Sequence, residues 1–376
     1  MGSFRLFTVR GIDVKVHLTF PLILVWAAVQ FGYLGQSGFS ASGALFGVVV
    51  TLLLFACVVI HELAHSLTST WMGYPVEDIV LFPLGGVSQI EKMPEGPGEE
   101  FLMAVAGPLS NVAIAIVLVA ISLFTPQSFV GSLRRIATNP AGLGWQDTLP
   151  YLIFTNLGLA VFNLIPAFPM DGGRVLRSLL ATVMPHARAT DLAVRIGQAF
   201  AWLIGLGGLL TTNLVLILIA IFVYSGAAQE GRMLRIKSIL GDMRVSQAFS
   251  RDVRQVSPDD PVSRAADLTL ESFQADFPVC DEGKLVGLLT HKNIVQALKT
   301  RRADTPVREV METEFPELRL DDELFEVHQQ MRETGLDALP VIDSGGFAGL
   351  LTSRDVNEAY QLLSINRELR RRIQRV

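Results

Sequence analysis

His61 and His65 stand four positions apart with Glu62 between them, in the stretch VVIHELAHSL at 58–67. On a helix, residues i and i+4 share a face, so the two imidazoles project together and can hold one metal ion. Glu62, one step round the helix, can reach a water on that ion. Neutral imidazole suits zinc, which in catalytic sites takes three protein ligands and leaves its fourth position to water. The stretch closes a run, TLLLFACVVI, in which every residue but Thr51 is apolar. Unpaired polar groups are costly in such a segment. Two core histidines satisfied by backbone or by each other are therefore the weaker reading. A third ligand must come from a distant part of the chain. Asp171, in NLIPAFPMDGGRVLR, follows an apolar segment interrupted by Pro166 and Pro169 and precedes two glycines that free the backbone. Two readings stay open for it: a turn at a helix end, or the missing ligand at the edge of a membrane segment. Asn111 and Asn163 also lie in apolar stretches. Each serves either a helix-packing hydrogen bond or a contact to substrate.

The elements that must position these residues read as membrane helices. Half of the 376 residues are hydrophobic and 18% are charged, with a mean hydropathy of +0.41, too apolar for a soluble enzyme of this size. A bilayer core needs about 20 apolar residues per helix, and windows at 18–36, 43–66, 101–124, 150–166, 190–209 and 211–228 answer to that. About six crossings put both termini on one side. The positive-inside rule makes that side cytoplasmic, because Arg5, Arg10, Lys15, Lys92, Arg174, Arg177, Arg188, Arg195, Arg232, Arg235 and Lys237 fall there against only Arg134 and Arg135 opposite. The net charge of −5 gives no reason to expect a nucleic-acid partner. The basic tail RELRRRIQRV reads as a solvated helix end or a membrane-surface contact. Cys57 and Cys280 lie in different halves, so no disulfide is expected. The start, MGSFRLFTVRGIDVKV, does not look like a removable signal peptide, and Gly11 to His17 reads as a short amphipathic strand at the membrane surface. DIVLFPLGGVSQIEKMPEGPGEE is broken by Pro83, Gly85 and Gly86. It is either a turn, or a strand or re-entrant hairpin with a free edge bordering a site.

Beyond about residue 238 the composition turns soluble and a repeat appears. Val245 and Val307, Pro278 and Pro340, Asp281 and Asp343, and Thr290 and Thr352 are all 62 positions apart without a gap, which marks a duplicated unit. Each copy predicts a short helix, an apolar strand, a turn, a second strand and a helix starting near Lys292 or Arg354.

HELAH in the second membrane segment and NLIPAFPMDG in the fourth, with FPLGG and AGPLSN between them, resemble the site-2 protease family of intramembrane zinc metalloproteases. The repeats resemble a tandem pair of CBS (cystathionine-beta-synthase) domains. The resemblance implies a multi-pass α-helical membrane protein with short membrane-associated strands, followed by a soluble α/β CBS pair. Its domains are 1–237 for the protease core, 238–300 for the first CBS repeat, and 301–376 for the second with a basic C-terminal helix. It further implies one zinc ion per chain held by His61, His65 and Asp171, with Glu62 as general base. The substrate it implies is a membrane-tethered protein in a lipid bilayer; since a transmembrane substrate must unwind to be cut, a strand edge near Gly85 and Gly86 is expected to hold it extended by strand addition, with Asn111 and Asn163 as candidate substrate contacts. An adenine nucleotide (ATP, ADP or AMP) in the CBS cleft is to meet Thr352 and Asp355 in one half-site and Thr290 and Asn293 in the other, where asparagine lacks the charge. A homodimer through the CBS domains and a prokaryotic cell membrane complete the picture. Ser88 departs from the alanine common at its place in the family, with no consequence for catalysis that the residues reveal. The competing readings are a CBS-regulated membrane transporter, which would spread ionisable residues over several helices, and a catalytically silent zinc-site scaffold.

Overall fold

The computed structural model describes residues 2–33, 38–83, 85–90, 94, 96–124, 129–138, 143–272, 274–300 and 303–365. The basic tail at 367–376 and Lys92 lie outside them. The chain divides into two compact units, Met1–Gly231 and Arg232–Val376.

The first unit opens with a hairpin of β1 (Ser3–Val9) and β2 (Ile12–His17). Its two-residue turn has positive φ at both Arg10 and Gly11, the geometry whose twist matches antiparallel strands. The expected strand at Gly11 to His17 is thus β2, and the charged start that precedes it is its partner. β2 runs parallel to β3 (Val76–Phe82), and β3 pairs antiparallel with β4 (Gly85–Ile90), giving the order β1-β2-β3-β4 with β4 at an edge. Of the two readings open for the Pro83–Gly86 region, the hairpin forms. Ile12, Val14, Ile79 and Leu81 are buried with Phe20 and Phe55, and Val58, Val59, Leu63 and Leu67 pack around them. The sheet therefore lies on the part of a helix that carries HELAH.

That helix is α2 (Ala41–Trp71), capped by Ser40, whose hydroxyl accepts the Gly43 N–H. α1 (Pro21–Tyr33) precedes it, and α3 (Pro97–Ser122), α4 (Phe129–Thr138), α5 (Thr148–Asn163), α6 (Asp171–Ala181), α7 (His186–Leu210) and α8 (Leu214–Leu240) follow. Among the described residues four helices, α2, α3, α7 and α8, are long and apolar enough to cross a membrane. The other two expected crossings form helices of 13 and 16 residues, roughly 20 and 24 Å at 1.5 Å per residue. A proline lies at or near one end of each. Pro21 opens α1 at the first helical position, and α5 stops at Asn163, three residues before Pro166.

In the second unit the repeat is visible element by element. α9 (Val262–Ser272), β5 (Phe277–Asp281), β6 (Lys284–Leu289) and α10 (His291–Lys299) form the first copy. β7 (Leu318–Arg319), α11 (Leu324–Thr334), β8 (Ala338–Asp343), β9 (Gly346–Thr352) and α12 (Ser353–Ile365) form the second. β7 lies parallel to β8, and 62 positions earlier Val256 makes only a single parallel bridge to Val279. Each copy has its own core. Phe277, Val279 and Leu289 anchor the first. Leu339, Val341 and Leu351 anchor the second, which also takes in Leu240 from the last turn of α8.

Candidate metal centre

His61 and His65 point from one face of α2 and are buried. Their Nε2 atoms are 3.1 Å apart. Asp171, the first residue of α6, brings its Oδ2 to 3.4 Å from His61 Nε2 and 3.3 Å from His65 Nε2. A tetrahedral ion with bonds of about 2.0–2.1 Å keeps its ligand atoms about 3.3–3.4 Å apart. The three donor atoms therefore already have the spacing that one zinc ion demands, and among the described residues they are the only such cluster. Orientation comes from α3. Nδ1 of His65 lies 2.7 Å from the Met103 carbonyl, and since a carbonyl can only accept, the ring proton sits on Nδ1 and leaves the Nε2 lone pair for the centre. One turn further along α3, a Cβ at Gly107 would stand 2.1 Å from His65 Nε2 and 2.6 Å from His61 Cε1. No side chain fits there.

Glu62, next to His61 on α2, packs against the sheet. A Cβ at Gly86 would lie 2.6 Å from Glu62 Cγ, so β4 presses on the stem of this side chain. Ser88 Oγ donates to Glu62 Oε2 at 2.7 Å, a contact that the departure from alanine at this position introduces. Gly85 opens β4 with φ of +145°. Asn111 is buried on α3, one turn past Gly107, and neither of its amide atoms has a partner among the described residues. Asn163 ends α5, half-buried. Buried Asn156 gives its Nδ2 to Leu152 O at 2.8 Å, while its Oδ1 has no partner among the described residues.

α3 and α6 are fastened by a buried ion cluster. Arg177 donates from Nε and Nη2 to Glu100 Oε1 at 2.7 and 2.5 Å, and from Nη1 to Glu230 on α8. Its guanidinium also lies over the Phe168 ring. His186 Nε2 is 3.6 Å from Glu100 Oε2. In the sequence Arg177 counts only as one more inner basic residue. Here it is buried and paired. Glu100, Glu230, Ser66, Ser88 and Gly107 carried no motif that spacing alone could single out, although AGPLSN brackets Gly107.

In the second unit, Thr352 and Asp355 form a reciprocal cap on α12. Asp355 Oδ2 accepts from Thr352 N and Oγ1 at 2.8 and 2.7 Å, and Thr352 Oγ1 accepts the Asp355 N–H at 3.1 Å. Ser250 Oγ donates to Asp355 Oδ1 at 3.2 Å. In the first copy Thr290 Oγ1 donates to Asn293 Oδ1 at 2.5 Å, while Asn293 Nδ2 donates to Val310 O and to Glu312 Oε1. Burial raises the pKa of the Asp276 carboxyl, helped by the charge of Asp337, while the His291 N–H it accepts lowers it.

Residues 49–204 match the sequence profile of Peptidase family M50, and residues 245–300 and 307–362 match the CBS domain. A zinc metalloprotease from Methanocaldococcus jannaschii is 34% identical over 369 residues, spanning 98% of this chain and 99% of that protein. Stage IV sporulation protein FB of Bacillus subtilis is 29% identical over 168 residues, 44% of this chain and 52% of that protein. Among solved structures, the site-2 protease from Methanocaldococcus jannaschii aligns with 61% of this chain and 95% of its own, at 38% identity and a TM-score of 0.44.

Proposed function

Because the chain belongs to Peptidase family M50, the site-2 protease family of zinc metalloproteases, and carries a tandem CBS pair, we propose that it hydrolyses a peptide bond within or beside the membrane segment of a membrane-tethered protein. The observation that supports this most is the convergence of His61, His65 and Asp171 donor atoms at 3.1 to 3.4 Å, with the Glu62 carboxylate one residue away on the same helix.

His61, His65 and Asp171 would hold zinc, and Glu62 acts as general base. Bound zinc supplies Lewis acidity, which lowers the proton affinity of water and polarises the scissile carbonyl. Glu62 accepts the proton of the attacking water and returns it to the leaving amine. Met103 O fixes the proton of His65 on Nδ1, keeping Nε2 available. The amide of Asn111, buried without a partner among the described residues, is available to substrate backbone, and Asn163 stands as a second candidate. Peptide groups within a helix have their carbonyls engaged, so a transmembrane substrate must unwind to be cut. β4, the sheet edge that begins with Gly85 and Gly86, offers an extended partner by strand addition. With α1 and α5 counted beside the four long helices, both termini are cytoplasmic. The cut then falls in the inner part of the membrane and frees a cytosolic product. The CBS pair is read as a sensor that takes an adenine nucleotide and pairs two chains.

Zinc per chain and cleavage, measured together, test this. Wild type and Glu62→Gln retain about one zinc per chain while Asp171→Ala loses it, and both variants lose cleavage. A Glu62→Gln protein that cleaves at the wild-type rate removes the assignment of the base.

A further inference from the structure

Ser66 and Ser88 form a short hydrogen-bonded chain that ends on Glu62. Ser66 is completely buried, one turn beyond Glu62 on α2 and hence on the same helix face. Its hydroxyl donates to Ser88 Oγ at 3.2 Å, and Ser88 Oγ donates onward to Glu62 Oε2 at 2.7 Å. With Ser66 as donor, the one hydroxyl proton of Ser88 is committed to the carboxylate. Glu62 is thereby held at two places, its stem against Gly86 and its head by Ser88, both on β4. Oε1 takes no hydrogen bond among the described residues.

We propose that Ser88, oriented by Ser66, is a positioning residue for the base: it fixes Oε2 so that Oε1 is presented to the attacking water. This rests on the reading of Glu62 as general base. A glutamate has three rotatable side-chain bonds, and a free carboxylate spreads over many orientations. Reaction requires one of them, and small misplacement of a reacting group is expensive in rate. The placement on β4 adds a second consequence. A substrate strand added to the free edge of β4 takes its register from the same backbone that carries Ser88. The position of the base relative to the scissile bond is then set by the strand that binds the substrate, without a separate device.

The full-length protein in detergent tests this with two probes, a labelled single-span peptide with helix-breaking residues near its inner end, and a small hydroxamic acid whose acidic proton passes to the base. Ser88→Ala is expected to lower kcat about tenfold with KM within about twofold, to hold zinc as wild type does, and to weaken hydroxamate binding by a similar factor. Ser88→Thr, which keeps the hydroxyl, restores both. Ser66→Ala lowers kcat by a smaller factor that disappears in the Ser88→Ala background, since coupled residues are not additive. The inference is overturned if Ser88→Ala stays within twofold of wild type on both probes, or if Ser88→Thr is as impaired as Ser88→Ala, while Glu62→Gln is inactive. If Glu62→Gln itself behaves as wild type, it is the base assignment that has failed.

Discussion

The metal centre and the CBS half-sites both place polar side chains at the start of a helix, and they use them in opposite ways. Asp171 opens α6, where a carboxylate would ordinarily accept backbone N–H groups and favour the helix dipole. The N-cap position itself belongs to Met170, and the Asp171 carboxylate turns to His61 and His65. Asp355 near the start of α12 does the reverse, accepting from Thr352 and Ser250 with both carboxylate oxygens. A carboxylate withheld from its local structural task is poised for a ligand. One already engaged must exchange its partners before it can bind anything.

The largest effects are expected where the withheld groups are kept apart from water and held in place. Arg177→Met leaves Glu100 buried with only His186, among the described residues, near it in place of its guanidinium partner, and breaking a buried pair from one side costs about 3–5 kcal/mol. Thermal unfolding in detergent should show a large fall in Tm, and the double change Glu100→Gln with Arg177→Met should recover much of it. Failure of the double variant to recover would mean that the cluster does more than neutralise itself. Gly107→Ala comes next. Its methyl group would stand where the imidazoles are, so either the rings or α3 must move, and a moved α3 also displaces the Met103 carbonyl. Disturbing such supporting contacts typically costs 10- to about 100-fold in metal affinity, readable as zinc lost to a mild chelator.

How much of this the sequence discloses depends on the distance over which each feature is specified. His61 and His65 are coupled by one helical turn, and the period alone places them on one face. The prolines that open α1 and follow α5 act on their own neighbours. Asp171 is further off, and spacing left it open between a turn and a ligand. Gly107, Ser88 and the Arg177 cluster were out of reach for a common reason: each matters through the approach of two elements, α3 to α2, β4 to α2 and α6 to α3, and no local pattern encodes an approach. The repeat was legible because it is a comparison of the chain with itself. What the offset of 62 could not disclose is that the repeats differ in which partner donates. Asn293 gives a hydrogen bond to Glu312, while Asp355 takes one from Ser250.

That difference predicts unequal responses at equivalent positions. Asn293→Asp would turn a carboxylate towards the Val310 carbonyl and the Glu312 carboxylate, losing two donated hydrogen bonds, and should destabilise the second unit by about 1–3 kcal/mol. Asp355→Asn can keep one oxygen on the Thr352 cap and turn its new N–H₂ towards Ser250, so its cost should stay below about 1 kcal/mol. Denaturant unfolding of the two variants side by side decides it. Equal costs would mean that the two half-sites are interchangeable, and the contrast between them would dissolve.

The smallest effect tests whether burial without a full set of partners is tolerated in the second unit as it is in the metal centre. Asp276 is 6% exposed, accepts the His291 N–H through Oδ1, and has its pKa raised by burial first and by the Asp337 charge as well. A carboxyl whose pKa is higher in the folded than in the unfolded state binds more protons when folded. Stability therefore falls as pH rises from the unfolded value through the folded one, and the loss is complete above it. Asp276→Asn removes the ionisation and keeps an oxygen for His291. It should raise the Tm of the second unit's transition by a few degrees near neutral pH, and the gain should vanish in acid, where the wild-type carboxyl is protonated. Asp337→Asn, at an exposed position, removes only the repulsion and should give a smaller gain. If Asp276→Asn instead lowers Tm at neutral pH, the ionised carboxylate is worth more to the His291 N–H than its burial costs, and Asp276 belongs with Asp355 as a structural acceptor.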